Sequence, residues 1–215
     1  MKHLTFWFDP ISPFAYLAFE RLPQALEGLS IEVRYRPILF GGLLRHWGQK
    51  GPAEIEPKRA WTFRHVHWLA HQHGIVLDTP VQHPFNPLAL LRLLLACAAP
   101  IGGTPNRRAC ELVLRHIWQG GADANDPARL AALTQELAPA LDPTDERVKQ
   151  ALKDSTAEAL ARGIFGVPTI EVDGRLFWGL DALAMVADFL RGASWFDEPA
   201  WDREGAPRAG LVRNP

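Results

Sequence analysis

Cysteine is scarce in this chain: Cys97 and Cys110 are the only two in 215 residues, and no Cys-x-x-Cys pair exists. Dithiol–disulfide exchange depends on that spacing, so its absence argues against a dithiol oxidoreductase. Two lone thiols in a cytosolic chain are expected to be buried on helices. A catalytic thiol, or a disulfide across the turn at residues 100–103, remains as the alternative. An excess of charge is missing too. The formal net charge of -1 gives no overall attraction to nucleic acid or to an anionic membrane. Long hydrophobic runs are also absent: the longest, Leu88 to Ile101, is broken by Arg92 and Pro100 and is too short to span a bilayer. The apolar stretch near the N-terminus meets Asp9-Pro10 too soon for a signal sequence, so a cytoplasmic protein is expected. No Gly-x-Ser-x-Gly elbow is present, which argues against a serine hydrolase. No internal repeat or low-complexity segment is visible.

What is present suits a soluble globular chain of one large domain or two small ones. The run Leu4-Thr5-Phe6-Trp7-Phe8, ended by Asp9-Pro10, reads as a buried strand. Ser12-Pro13 is a helix start: serine caps, and proline suits the first helical position. Tyr16, Leu17, Phe19, Leu22 and Leu26 then carry an apolar stripe to Gly28, with Pro23 set to kink it. Ile31 to Pro37 alternates as a strand, completing a β-α-β unit. Gly41-Gly42 and Gly48 to Pro57 read as loops. Helical spacing follows over Lys58–His73, Leu88–Ala98, Pro105–Gln119, Pro127–Leu137 and Thr144–Arg162. The end returns to β character: Val167 to Val172, an Asp173-Gly174 hairpin turn, Arg175 to Trp178, then a helix from Ala182 to Leu190 with Asp181 as its cap. The expected domains are an α/β unit of residues 1–40 and 163–194, a helical insertion over 41–162, and a C-terminal tail over 195–215, lying along the surface on its tryptophans or disordered.

Ser12 lies where a strand ends and a helix begins. The free N–H groups and positive helix end there would stabilise an anion such as a thiolate; taken locally, simple capping explains the serine better. Val167-Pro168-Thr169 is a second, weaker signal: a proline before a strand is a common edge device. His67 and His71 stand four apart on a predicted helix, a metal-ligand spacing, but no carboxylate or cysteine nearby completes a site, and no metal is expected.

Taken together, the β-α-β opening with a polar residue at its helix start, and the later Gly166-Val167-Pro168-Thr169 before a hairpin and helix, resemble the thioredoxin superfamily. The resemblance implies that Pro168 is cis, beside Ser12, with the Val167 backbone free to pair with an extended thiol peptide. Within that superfamily, the stretch from Asp9 to Ala18 is similar to the kappa-class glutathione transferases and the 2-hydroxychromene-2-carboxylate isomerases. Their fold is α/β, thioredoxin-like of the DsbA type, with an inserted all-helical subdomain. Residues 37–42, Pro52-Ala53, Lys58-Arg59, Trp68, Gly74-Ile75, His83-Pro84-Phe85-Asn86 and 177–181 add to the likeness on the isomerase side.

The resemblance implies a glutathione-dependent isomerase of 2-hydroxychromene-2-carboxylate or a similar intermediate. A kappa-like transferase and a non-catalytic thioredoxin-like binding protein are the alternatives. By position, Ser12 would support the glutathione sulfur. Val167 and Pro168 would bind its cysteinyl backbone, and Trp178, Gly179, Leu180 and Asp181 its γ-glutamyl end. Gln49, Trp61 and Asn86 would face an aromatic substrate. A homodimer is also implied. The departures fall on the substrate side: the isomerases tend to carry asparagine at Gln49, a tyrosine near Trp61 and arginine at His67.

Overall fold

The computed structural model describes residues 1–98, 100, 102–197, 201 and 205. Its centre is a four-stranded sheet in the order β2-β1-β3-β4. Strand β1 (Lys2–Phe8) runs parallel to β2 (Ile31–Pro37), with helix α1 (Pro13–Ala25) between them. Strand β3 (Thr169–Val172) lies antiparallel to β1, and β4 (Arg175–Trp178) antiparallel to β3. The hairpin turn is the one expected, with positive φ at both Asp173 and Gly174. Between β2 and β3 the chain forms α2 (Phe40–His46), α3 (Glu56–His73), α4 (Leu88–Ala96), α5 (Arg107–Trp118), α6 (Pro127–Leu137) and α7 (Glu146–Ala161). Helix α8 (Leu183–Leu190) follows the hairpin.

Side-chain alternation divides the sheet into two faces. Leu4, Phe6 and Phe8 join Ile170, Val172 and Phe177 in the main core, with Tyr16, Leu17, Phe19 and Trp118. Trp7 points the other way, into a smaller cluster with Ile38, Leu43, Ala159 and Ile164, which brings α2 and α7 to that face. The Trp7 indole N–H donates to Glu171 at 3.0 Å.

Pro23 lies inside α1 and has no N–H, so the Phe19 carbonyl four residues back loses its helical donor. Arg107, the first residue of α5, fills the vacancy. Its Nη1 and Nη2 approach the Phe19 oxygen at 3.5 and 3.4 Å, and its guanidinium sits 4.2 Å from the Phe19 ring centroid. It also donates to the Tyr35 hydroxyl at 3.1 Å. The insertion is thus fastened to the β-α-β unit through a defect in the first helix.

Two expectations fail. Gly41-Gly42, expected as loop, lies within α2. Glycine is a poor helix former, and here tertiary contacts override that preference: Leu43 is buried, Asp9 Oδ2 accepts from the Phe40 N–H at 2.9 Å, and Thr156 packs close to Gly42. Asp181 does not cap α8; that position belongs to Ala182, with no side-chain cap bond. Cys97 and Cys110 are both free thiols, at the end of α4 and within α5. Burial pushes both thiols up, Cys110 the further, which makes them poor nucleophiles. Within the expected tail, Trp195 and Trp201 pack with Phe196, while residues 198–200, 202–204 and 206–215 lie outside those described.

Candidate active site

The turn between β1 and α1 is held at every residue. Asp9 is fully buried at the strand end. Its Oδ1 accepts from the Ile11 N–H at 3.0 Å and its Oδ2 from the Phe40 N–H, tying this turn to the start of α2. The Asp9 carbonyl accepts from the Ser12 N–H at 3.0 Å. The Trp118 indole N–H, from α5, donates to the Pro10 carbonyl at 2.9 Å. His83 Nε2 lies 2.9 Å from the Ile11 carbonyl, so it carries the proton. Burial of His83 lowers its pKa and favours that neutral ring. Burial also pushes the Asp9 carboxyl up to about 7, against the two N–H donors that pull it down.

Ser12 caps α1 as its sequence suggests. Its Oγ accepts from the Ala15 N–H at 3.2 Å, and Pro13 follows at the first helical position. Capping uses a lone pair and leaves the hydroxyl proton to be placed elsewhere. The nearest acceptor is the Val167 carbonyl, 3.5 Å away, a long and weak contact. The Val167-Pro168 bond is cis, as the family resemblance implied. The structure therefore brings together two segments 155 residues apart in sequence.

Beyond Val167 the chain enters β3, and the Gly179 N–H donates to the Pro168 carbonyl at 2.9 Å. The Val167 N–H and the Phe14 N–H at the first turn of α1 have no acceptor among the described residues. A Cβ on Gly166 would stand 2.5 Å from Trp178 Nε1, so glycine lets the indole close over the chain beside Val167. Trp178 also meets Phe165 at 5.0 Å between ring centroids, both rings largely exposed. Gly179 has φ +100, and a Cβ there would meet Asp181 Oδ1 at 2.4 Å. Asp181 folds back over that glycine with its side chain exposed, while Leu180 packs on the main core.

The opposite wall is looser. Phe14 meets His65 of α3 edge-on at 5.9 Å, and His65 stacks between Trp61 at 6.1 Å and Trp68 at 6.3 Å. Trp61 thus connects to the Ser12 turn through two rings. Gln49 is exposed beyond α2 and makes no side-chain hydrogen bond among the described residues. Asn86 is engaged locally: its Oδ1 accepts from the Leu88 N–H at 3.1 Å, ahead of α4. Neither of these two residues hydrogen-bonds to the Ser12 turn among the described residues. Asp9, Trp118 and His83 were not singled out as site residues. A carboxylate closing an apolar strand was the one available signal. No cluster of His, Cys, Asp or Glu fit for a metal exists among the described residues.

A sheet of this order, crossed by α1 with a cis proline facing that helix's N-terminus and interrupted by a helical insertion, defines a class. The family model of the DSBA-like thioredoxin domain matches residues 3–191, and the chain belongs to that family. Among individual proteins, it is 28% identical over 198 residues to 2-hydroxychromene-2-carboxylate isomerase of Sphingobium xenophagum, covering 88% of this chain and 98% of that one. It is 25% identical over 211 residues to human glutathione S-transferase kappa 1, covering 90% and 92%. A solved 2-hydroxychromene-2-carboxylate isomerase superposes with a TM-score of 0.76 at 20% identity, covering 91% of this chain and 97% of the other. No helix among the described residues is long and apolar enough to cross a membrane.

Proposed function

We propose that the chain is a glutathione-dependent isomerase, acting on 2-hydroxychromene-2-carboxylate or a closely similar aromatic intermediate. The observation that carries this reading is the Ser12 hydroxyl at the N-terminus of α1, facing Val167 where no protein thiol is at hand. The fit to glutathione rests on groups left free around it: the Val167 and Phe14 N–H donors and the spare Ser12 proton. The names of the relatives, isomerases and kappa glutathione transferases, support it.

Glutathione would supply a sulfur nucleophile that adds to the substrate and is later expelled, so that a carbon–carbon double bond becomes single, rotates and re-forms. Ser12 would donate a hydrogen bond from its hydroxyl to the glutathione sulfur and so favour the thiolate. The positive end of α1 and the Phe14 N–H add to that preference. Val167 pairs with the cysteinyl backbone by strand addition, which fixes the sulfur in one place. Trp178, Gly179, Leu180 and Asp181 form the γ-glutamyl end of the site, the Trp178 indole shielding it from water. Trp61, with Gln49 and Asn86 further out, receives the aromatic body.

The kappa-like transferase is the second reading, favoured by the near-equal similarity to kappa 1 and by the departures at Gln49, Trp61 and His67. One assay separates the two. Spectroscopic turnover of the chromene is followed with and without glutathione, and glutathione is counted afterwards. The isomerase leaves glutathione undiminished; a transferase consumes it in step with substrate. Turnover without glutathione contradicts both.

A further inference from the structure

Away from the Ser12 cleft, a hollow of about 510 Å³ opens between α4 and α7, a volume typical of small-ligand sites. Leu39, Leu88 and Leu152 give it an apolar floor, and Arg92, Lys149 and Lys153 stand around it. These three cations are unequally placed. Lys149 Nζ is paired with Glu146 at 2.5 Å. Arg92 and Lys153 form no ion pair among the described residues. Arg92 Nε is moreover buried with no hydrogen-bond acceptor. The field here is positive enough to reach Glu146: that carboxyl is held below its ordinary value by Lys149, with Lys153 and Arg92 adding to the effect.

We infer that this hollow is a second binding site, for a small carboxylate carried on an apolar body. Arg92 offers its guanidinium to the carboxylate, and Lys153 closes the pair as a point charge. The leucine floor takes an alkyl chain or ring of matching size. Both halves of this chemistry are required. A neutral amphiphile would leave the two unpaired charges unmet, and a bare inorganic anion would leave the floor open to water. The floor and the cations share no residue with Ser12, Val167 or Pro168, so the inference stands apart from the proposed function.

The test is calorimetric titration of the whole protein with octanoate, octanamide and inorganic phosphate, repeated on Arg92→Met/Lys153→Met and on Ser12→Ala. Octanoate is expected to bind the unaltered protein and Ser12→Ala alike, and about tenfold more weakly to the double variant. Octanamide and phosphate are expected to bind at least about tenfold more weakly than octanoate. Matched thermal melts of the double variant and the unaltered protein exclude misfolding as the cause, and Arg92→Lys, which keeps the charge, is expected to restore part of the affinity. No saturable octanoate binding, binding indifferent to the double variant, equal binding of octanamide or phosphate, or loss of binding in Ser12→Ala would each overturn it.

Discussion

The two walls of the Ser12 cleft are made of different material. On one side, the turn of residues 9–12, the segment around Val167 and the first turn of α1 are mostly buried. They are placed by main-chain bonds and by Asp9, Trp118 and His83. On the other, Trp61 is 65% exposed and Trp68 56% exposed, both carried on α3 with their rings stacked on His65. The first wall is set by the fold and changes only if the fold does. The second is set by side-chain identity and can be altered without cost to folding. Under the proposed function, sulfur handling belongs to the first wall and substrate choice to the second.

The largest effect in that comparison is expected at Ser12. Under the proposed function, Ser12→Ala would remove a charge-assisted hydrogen bond to the glutathione sulfur, and glutathione-dependent kcat/KM should fall about 10- to 100-fold. Ser12→Thr, which keeps the hydroxyl, should recover most of it. Steady-state kinetics of the two variants check this; equal loss in both would mean that shape rather than the hydroxyl matters.

Asp9 comes next, through stability. Its carboxyl is pushed up to about 7 by burial, so the folded chain keeps a proton that the unfolded chain has already released. Between its unfolded value and about 7 the folded state therefore binds more protons, and stability falls as pH rises through that window. His83 and His116, lowered by burial, act in the opposite sense: their folded state gains stability as pH rises towards the ordinary histidine value. The difference between the unaltered protein and Asp9→Asn isolates the acid. Denaturant unfolding at pH 5 and pH 8 should show the unaltered protein losing, relative to the variant, on the order of a few kcal/mol. An identical pH response in both would refute the assignment.

Gly166→Ala should act more locally. The added Cβ would drive into Trp178 Nε1, so the indole must swing away from Val167. Glutathione affinity, read by calorimetry, should weaken several-fold with the melting temperature little changed. Trp61→Ala should be the mildest for the fold, within about 0.5 kcal/mol, because so little of the side chain is buried. It should raise KM for the aromatic substrate and leave KM for glutathione unaltered; a rise in both would join the two walls into one.

The same division explains what could be read from the sequence. Strand β1, the Ser12-Pro13 helix start, the β2 alternation and the Asp173-Gly174 turn are local patterns, and each appears where periodicity and capping put it. The pairing of Ser12 with Val167 is not local, and only the family resemblance gave it. Helix α2 was hidden by Gly41-Gly42, because what stabilises it is the distant Asp9 carboxylate and the packing of α7. The Arg107 bond to Phe19 was hidden likewise: Pro23 signals a vacant carbonyl, but nothing in the sequence says which side chain fills it. Asp181 does not cap α8: its carboxylate lies back over Gly179, and Ala182 takes the N-cap position.

The central claim is that this protein takes its reactive sulfur from glutathione and that Ser12 makes it a thiolate. The most direct measurement is the ultraviolet thiolate absorbance of protein-bound glutathione, titrated against pH in the unaltered protein and in Ser12→Ala. The bound thiol is expected to ionise well below its value in free solution in the unaltered protein, and to move back towards that value in the variant. Glutathione that does not bind, or that binds and ionises alike in both proteins, would contradict it.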